Sequence, residues 1–197
     1  MTDEKEQSQY INMFREEKLD AVILTHNIDN PFITHEEQKH EGVKFLRIDA
    51  DVNEMFKEEV KEEDKETLEQ EAKTLTETFR RALGNDKLEV KVEKLKNESV
   101  SSMITVAEET RRMQEMMKMY NMYGMDPSMF GGTGEVLVLN ANNSLVKYVL
   151  EHGEGEETPV ICEQLYDLAL LSHGSLSPER MTKFIARSNE IMAKLAK

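Results

Sequence analysis

The sequence predicts a mixed α+β fold in two parts. Residues 1–56 follow a helix–strand–helix–strand order, residues 57–197 mix helices with strands, and two strongly marked helices end the chain. The order in the first part is typical of a βαβ unit, with two parallel strands and a right-handed crossover. Because a unit of about 50 residues buries little surface alone, we expect it to be the end of a larger α/β domain.

Short apolar runs define the elements of the first part. Residues 10–14 indicate a short helix, and the continuous apolar run 21–24 predicts a strand that is covered on both faces. Pro31 opens a second helix, for which Asn30 is a suitable cap. Residues 43–48 predict the second strand of the βαβ unit.

The second part begins with a highly charged segment. Residues 54–73 carry nine acids and four lysines, which we interpret as a solvated linker that runs into the exposed face of a helix. Apolar residues then recur at steps of three and four from Leu68 to Leu83, and Gly84 follows where helices favour glycine. Residues 88–93 alternate with a period of two, which predicts a half-buried antiparallel strand.

The remaining elements extend the sheet and end the chain with helices. Residues 97–105 are expected to extend the sheet, residues 135–140 form a strand, and residues 145–150 begin a short helix. We predict a helical hairpin with helices at 158–174 and 177–197. Its second helix is well marked, since it starts with a serine cap, a proline and an acid and ends with lysines.

Composition and charge restrict the class of protein. With 39 acidic and 25 basic residues the net charge is −14, which argues against a general nucleic-acid binder or a protein of anionic membranes. Cys162 is the single cysteine, so no internal disulfide is possible. No apolar run approaches the ~18–20 residues of a membrane span, and the first residues do not resemble a signal peptide. We therefore expect a cytoplasmic protein.

Several local patterns resemble metal or reactive sites but have the wrong spacing or context. His35 and His40 would lie about 140° apart around a helix, so they cannot share a metal as helical histidines four residues apart do. Residues 49–53 begin like a calcium loop, but Glu54 stands where the turn requires glycine. Cys162 is expected to be a buried structural thiol. We therefore expect neither a metal site nor a catalytic set.

Methionine is concentrated in one segment, since eight of the 13 methionines lie between residues 103 and 129. On a helical wheel of residues 107–123, methionines and tyrosines share one side. This side is either an ordinary core face or an adaptable apolar surface for unlike partners, which flexible thioethers suit. The residues concerned are Met113, Met116, Met117, Met119, Tyr120 and Tyr123.

Four stretches of the chain resemble the heat-shock protein 90 chaperones. Two match the end of that family's middle domain and two match its C-terminal domain, in the same order and over nearly the whole chain. The stretches are YINMF (10–14), DAVILTHNID (20–29), GEVLVLNANNSLVK (134–147) and ICEQLYDLALLSHG (161–174). The resemblance implies that residues 1–56 end the middle domain and that residues 57–197 form the C-terminal dimerisation domain.

The resemblance also implies a homodimeric, ATP-driven chaperone that acts in protein folding and the stress response. ATP and Mg²⁺ would belong to the full-length protein, so this chain is expected to hold no cofactor and to catalyse no reaction. The implied partners are a second copy, unfolded or partly folded client proteins bound by the methionine helix, and the chaperone DnaK for the full-length protein. The last two helices would pair with those of the second copy in a four-helix bundle, through Leu165, Leu168, Leu171, Met181, Phe184, Ile185, Ile191 and Leu195.

Two other functions are compatible with the residues. One is a small α/β enzyme that depends on a metal or phosphate and uses Asp29, Asp49 and Asp51 at strand ends. The other is a monomeric adaptor whose methionine helix is plain core.

Overall fold

The computed structural model describes residues 8–26, 28–45, 48, 56–106 and 134–196. Within these residues the chain forms a mixed α+β structure, which confirms the predicted fold class. Its elements in chain order are α1 (Ser8–Glu16), α2 (Asp29–Lys39), α3 (Glu62–Leu83), β1 (Glu89–Glu93), β2 (Ser102–Val106), β3 (Glu135–Asn140), α4 (Ser144–Glu151), α5 (Thr158–His173) and α6 (Pro178–Leu195).

The three strands form one mixed sheet in the order β1-β3-β2. The central strand β3 runs parallel to β1 and antiparallel to β2. The prediction of an antiparallel β1 was therefore wrong. It rested on the alternation with a period of two, which does not fix the direction of the neighbouring strand, and β3 lies beside β1 with the same direction.

One face of the sheet packs against three helices. The chain's main core contains Phe79 of α3, Leu137 of β3, Val149 of α4 and Leu165 of α5, all buried. The helix α3 begins with acids, ends with two arginines, and stops at Gly84, whose φ of +60° is the left-handed conformation that glycine adopts without strain. The predicted helix and its terminus are confirmed.

The opposite face of the sheet packs against α1 and Phe56. Tyr10 and Met13 of α1 are buried against Met103 of β2 and Val138 of β3. Phe56 joins this second cluster. Because both faces of the sheet are covered, β2 and β3 are buried almost throughout.

The two strands of the predicted βαβ unit do not appear in the described residues. Residues 19–25 are irregular, with Val22 81% exposed, and residues 43–45 are irregular and exposed. A strand needs a hydrogen-bonded neighbour, and the described part of the chain supplies none for these segments. The helix between them is present as α2, which begins at Asp29 rather than at Pro31.

A buried asparagine, Asn140, joins β3 to the loop between β1 and β2. Its Oδ1 accepts hydrogen bonds from the backbone N–H groups of Leu95 and Asn142, each at 3.0 Å. Its Nδ2 donates to the carbonyl oxygens of Asn97 at 3.0 Å and Val100 at 2.8 Å. Because both ends of the carboxamide are satisfied, this polar group is accommodated in the interior and fixes the path of the loop.

Candidate functional site

The last two helices form the predicted hairpin. The helix α5 has a proline in its first turn, and residues 174–177 connect it to α6. The cap of α6 is Ser177, whose Oγ accepts a hydrogen bond from the backbone N–H of Arg180 at 3.3 Å. Both helices begin and end within a residue or two of the boundaries that their sequence signals predicted.

A buried ionic network holds α6 against α5. Arg187 of α6 donates to the carboxylates of Asp167 and Glu163, the latter at 2.6 Å, and its Nε donates to Oε1 of Gln164 at 2.9 Å. Arg180, two turns earlier, donates to Oδ1 of Asp167 at 2.5 Å. Asp167 and Arg187 are both buried. Two arginines on one face of α6 thus bind one buried carboxylate of α5. These contacts fix both the position of α6 along α5 and its rotation about its own axis.

Further contacts extend this attachment along the hairpin. Lys194 near the end of α6 lies 3.0 Å from the carboxylate of Glu157, which precedes α5. The guanidinium of Arg180 lies 4.6 Å from the ring centroid of Tyr166, within cation–π range. Burial raises the pKa of the Tyr166 hydroxyl, so this group stays protonated and neutral. The attachment therefore runs from one end of α6 to the other.

Beside the face that carries the arginines, α6 presents an apolar surface. Ile185 is 52% exposed, Met192 is 57% exposed and Leu195 is 83% exposed, at steps of seven and three residues that place them on one side of the helix. On α5, Leu168 is 43% exposed. We call these four side chains the hairpin face. Exposed apolar side chains that recur along one side of a helix, as on α6, are typical of interaction sites.

The residues predicted for dimerisation do not all lie on this surface. Leu168, Ile185 and Leu195 belong to the hairpin face, whereas Leu165 is buried in the core of its own chain and offers no surface to a second copy. Sequence reasoning missed Met192, although it lies seven residues after Ile185 and three before Leu195, on the same side of α6. The remaining predicted residues are half-buried on the hairpin: Leu171, Met181, Phe184 and Ile191.

The predicted client-binding side chains lie outside the described residues. They are Met113, Met116, Met117, Met119, Tyr120 and Tyr123. The structure does describe the two ends of the segment that carries them. Val106 at the end of β2 pairs with Glu135 at the start of β3, so the chain leaves and re-enters the sheet at neighbouring positions.

The carboxylates of the alternative enzyme are only partly described. Asp29 is at the start of α2, where its Oδ2 accepts a hydrogen bond from the backbone N–H of His26 at 2.7 Å. Asp49 and Asp51 lie outside the described residues. His35 and His40 each approach Glu36 at 3.4 Å. Among the described side chains, no group of three or more His, Cys, Asp or Glu residues is placed to hold a metal ion.

The cysteine is buried, as predicted. Cys162 lies in the main core on α5, and burial raises the pKa of its thiol to about 12. A thiol in this position is neutral and shielded from reagents, so it acts as a small apolar core residue.

Comparison with known proteins relates the whole chain to one family. A family model described as "Hsp90 protein" matches residues 1–197. The chaperone protein HtpG of Bacteroides thetaiotaomicron is 34% identical over 164 residues, which cover 79% of this chain and 23% of that protein. The chaperone protein htpG of Bacteroides fragilis strain 638R is 34% identical over 159 residues, which cover 77% of this chain and 22% of the relative. The chain thus spans less than a quarter of the length of these relatives.

We expect Arg187→Leu to lower the free energy of unfolding by about 3 kcal/mol, because it removes one of the two cations that face buried Asp167. Urea denaturation followed by circular dichroism measures this change. The control is Lys183→Ala, whose exposed side chain pairs only with exposed Glu179 in the described structure and should cost about 0.5 kcal/mol or less. Equal effects of the two substitutions would contradict a structural role for the network.

We expect the stability contributed by Cys162 to decrease above pH 9. The folded thiol has a pKa of about 12 against 9.0 for an exposed thiol, so between these values the unfolded chain releases a proton that the folded chain retains. The free energy of unfolding should therefore fall by up to ~1.4 kcal/mol per pH unit more in the parent than in Cys162→Ala. Urea denaturation of both proteins from pH 8 to 10.5, under reducing conditions, measures the difference, and parallel profiles would refute the expectation.

Proposed function

This chain belongs to the Hsp90 family, and we propose that it joins two copies of an ATP-dependent chaperone through the hairpin of α5 and α6. The observation that carries this proposal is the hairpin face, whose exposed apolar side chains lie mostly on α6, a helix that ion pairs attach to α5. A surface that is both apolar and rigidly held can bury itself against a partner without losing much conformational entropy.

A second copy of the chain is a suitable partner for the hairpin face. In a two-fold symmetric dimer the same patch is used on both sides, and two helical hairpins then form a four-helix bundle. The charged residues Glu179, Lys183 and Glu190 are exposed on other sides of α6, so they could remain in water when the apolar side is covered. An interface of about 1,600 Å² would suffice for a stable dimer.

Dimerisation would act on the rest of the chaperone by proximity. Two chains held at one end meet at a high effective concentration elsewhere, so closure of the dimer becomes an intramolecular step. The ATP-dependent cycle, the cytoplasmic location and any contact with DnaK belong to this proposal for the whole protein. In the described part of the chain no helix is long and apolar enough to cross a membrane.

The methionine-rich segment is proposed to contribute to client binding. Its support is the sequence, in which Met113, Met116, Met119 and Tyr120 share one side of a helical wheel. Thioether side chains adapt to apolar partners of different shape, as a surface for unfolded proteins requires. The sheet supports this role, because the paired residues Val106 and Glu135 hold both ends of the segment together at one place.

We expect Ile185→Glu to convert a dimer into single chains, because a carboxylate would have to be buried in the bundle. Sedimentation at low micromolar concentration should give twice 22.8 kDa for the parent and 22.8 kDa for the variant, with helix content unchanged. The matched control is Ala186→Glu, which makes the same change of charge at an exposed position on the polar side of α6. A parent that sediments as a single chain would overturn the proposal, as would a variant that remains dimeric.

We expect Met116→Ser combined with Tyr120→Ser to weaken binding of an unfolded model protein several-fold without changing the dimer mass. The control combines Gln114→Ser with Asn121→Ser, on the other side of the helical wheel. Fluorescence anisotropy of a labelled, permanently unfolded protein measures the affinity. Equal affinities for parent and variant would refute client binding by this segment.

A further inference from the structure

Among the described residues the strand β2 lies at an edge of the sheet, and its outward backbone groups can be identified from the register. Asn140 donates its backbone N–H to the carbonyl oxygen of Ser101 at 3.0 Å, which makes these two residues a hydrogen-bonded pair. Bonded and non-bonded pairs alternate along an antiparallel ladder. Ser102, Ile104 and Val106 are therefore in non-bonded pairs, and their N–H and C=O groups point away from β3.

Two side chains of α1 occupy this outer edge. The hydroxyl of Tyr10 donates a hydrogen bond to the carbonyl oxygen of Ile104. The Nε2 of Gln9 lies 3.5 Å from the carbonyl oxygen of Ser102. The helix itself lies on the face of the sheet that carries Met103, so these side chains reach around the strand to its edge. Side chains of α1 thus take the place of a neighbouring strand.

The sequence of β2 gives the edge no other protection. Its residues, Ser-Met-Ile-Thr-Val, include no charge and no proline, and three of the five are β-branched. The opposite edge strand, β1, carries exposed Glu89 and Lys91. Charges and prolines are the usual means by which edge strands avoid pairing with other chains. On β2, the cover supplied by α1 replaces them.

The attachment of α1 to the sheet depends on few side chains. A helix of nine residues is marginal by itself, so α1 depends on its contacts with the sheet. Tyr10 and Met13 are its buried residues, and its C-terminal end is tied by surface contacts, such as the Nδ2 of Asn97 donating to Glu16 at 2.6 Å. Such peripheral elements open locally without global unfolding.

We propose that α1 is a detachable cap that prevents β2 from pairing edge to edge with the β2 strand of a second copy. Antiparallel pairing centred on Ile104 would place Ser102 opposite the partner's Val106, and the outward groups of both strands would bond to each other. A second copy is favoured because β2 meets its own sequence without any like-charge contact.

The consequence of uncapping depends on the proposed dimer. A chain that already dimerises through the hairpin face would gain a second two-fold interface when β2 is free. Two different two-fold interfaces on one chain generate assemblies larger than a dimer, either a closed tetramer or an open-ended chain. The cap would then decide between a discrete dimer and a larger assembly.

The test detaches α1 with Tyr10→Ala combined with Met13→Ala. We expect faster amide hydrogen exchange at Ile104 at low concentration, and species heavier than a dimer in sedimentation as the concentration rises. The matched control is Asn12→Ala, on the exposed side of α1, which should behave as the parent. A folded double variant with parent-like exchange at Ile104, or with parent-like mass at every concentration, would overturn the proposal.

Adding Ile185→Glu separates this inference from the proposed dimer. If both proposals hold, the triple variant associates only through β2 and stops at twice 22.8 kDa. If the hairpin does not dimerise, Tyr10→Ala with Met13→Ala already stops at that mass. If only the cap proposal fails, the triple variant stays at 22.8 kDa.

A measurement on the unmodified chain covers the case in which the double variant does not fold. In hydrogen exchange at low urea concentrations, the amide of Ile104 should open together with those of α1, at a lower free energy than the amide of Leu137 in the central strand. Opening of Ile104 only with global unfolding would overturn the proposal.

Discussion

The contact of Arg187 and Arg180 with buried Asp167 fixes the position of α6 and thereby the side of this helix that is exposed. Buried ions are costly to desolvate, and a helix attached through them contributes less stability than one attached through apolar packing. Their advantage is direction, because a guanidinium bonds a carboxylate in few orientations. With α6 anchored in this way, its apolar side chains need not turn inward, and Ile185, Met192 and Leu195 remain available at the surface.

Sequence patterns predicted the helices well, since their signals are local. Gly84 after a run of apolar spacing predicts the end of a helix, and Ser177-Pro178 predicts the start of one. The structure has both termini at these residues. The position of Cys162 in the core follows from the apolar helix around it. Strand partners depend on distant residues, so the pairing of β1 with β3 could not be read from alternation alone.

The sequence was least informative where polar residues are buried. Asp167 and Arg187 are 20 positions apart on different helices. A helical wheel of either helix alone does not show that the two side chains are in contact. Asn140 ends an apolar strand and is easily taken for a turn residue, although its carboxamide organises a loop more than 40 positions earlier. The apolar run at 21–24 predicted a strand because it is intrinsically suited to one, but a strand also requires a neighbour to bond.

The pairing of Val106 with Glu135 brings the two ends of the intervening segment together at neighbouring positions of the sheet. Since the two ends are already neighbours, lengthening the intervening chain adds only about 0.6 kcal/mol of closure entropy for each doubling. We therefore expect changes in the length of this segment to leave the pairing of Val106 with Glu135 in place. A recognition peptide inserted between these residues would be displayed beside β2 and β3.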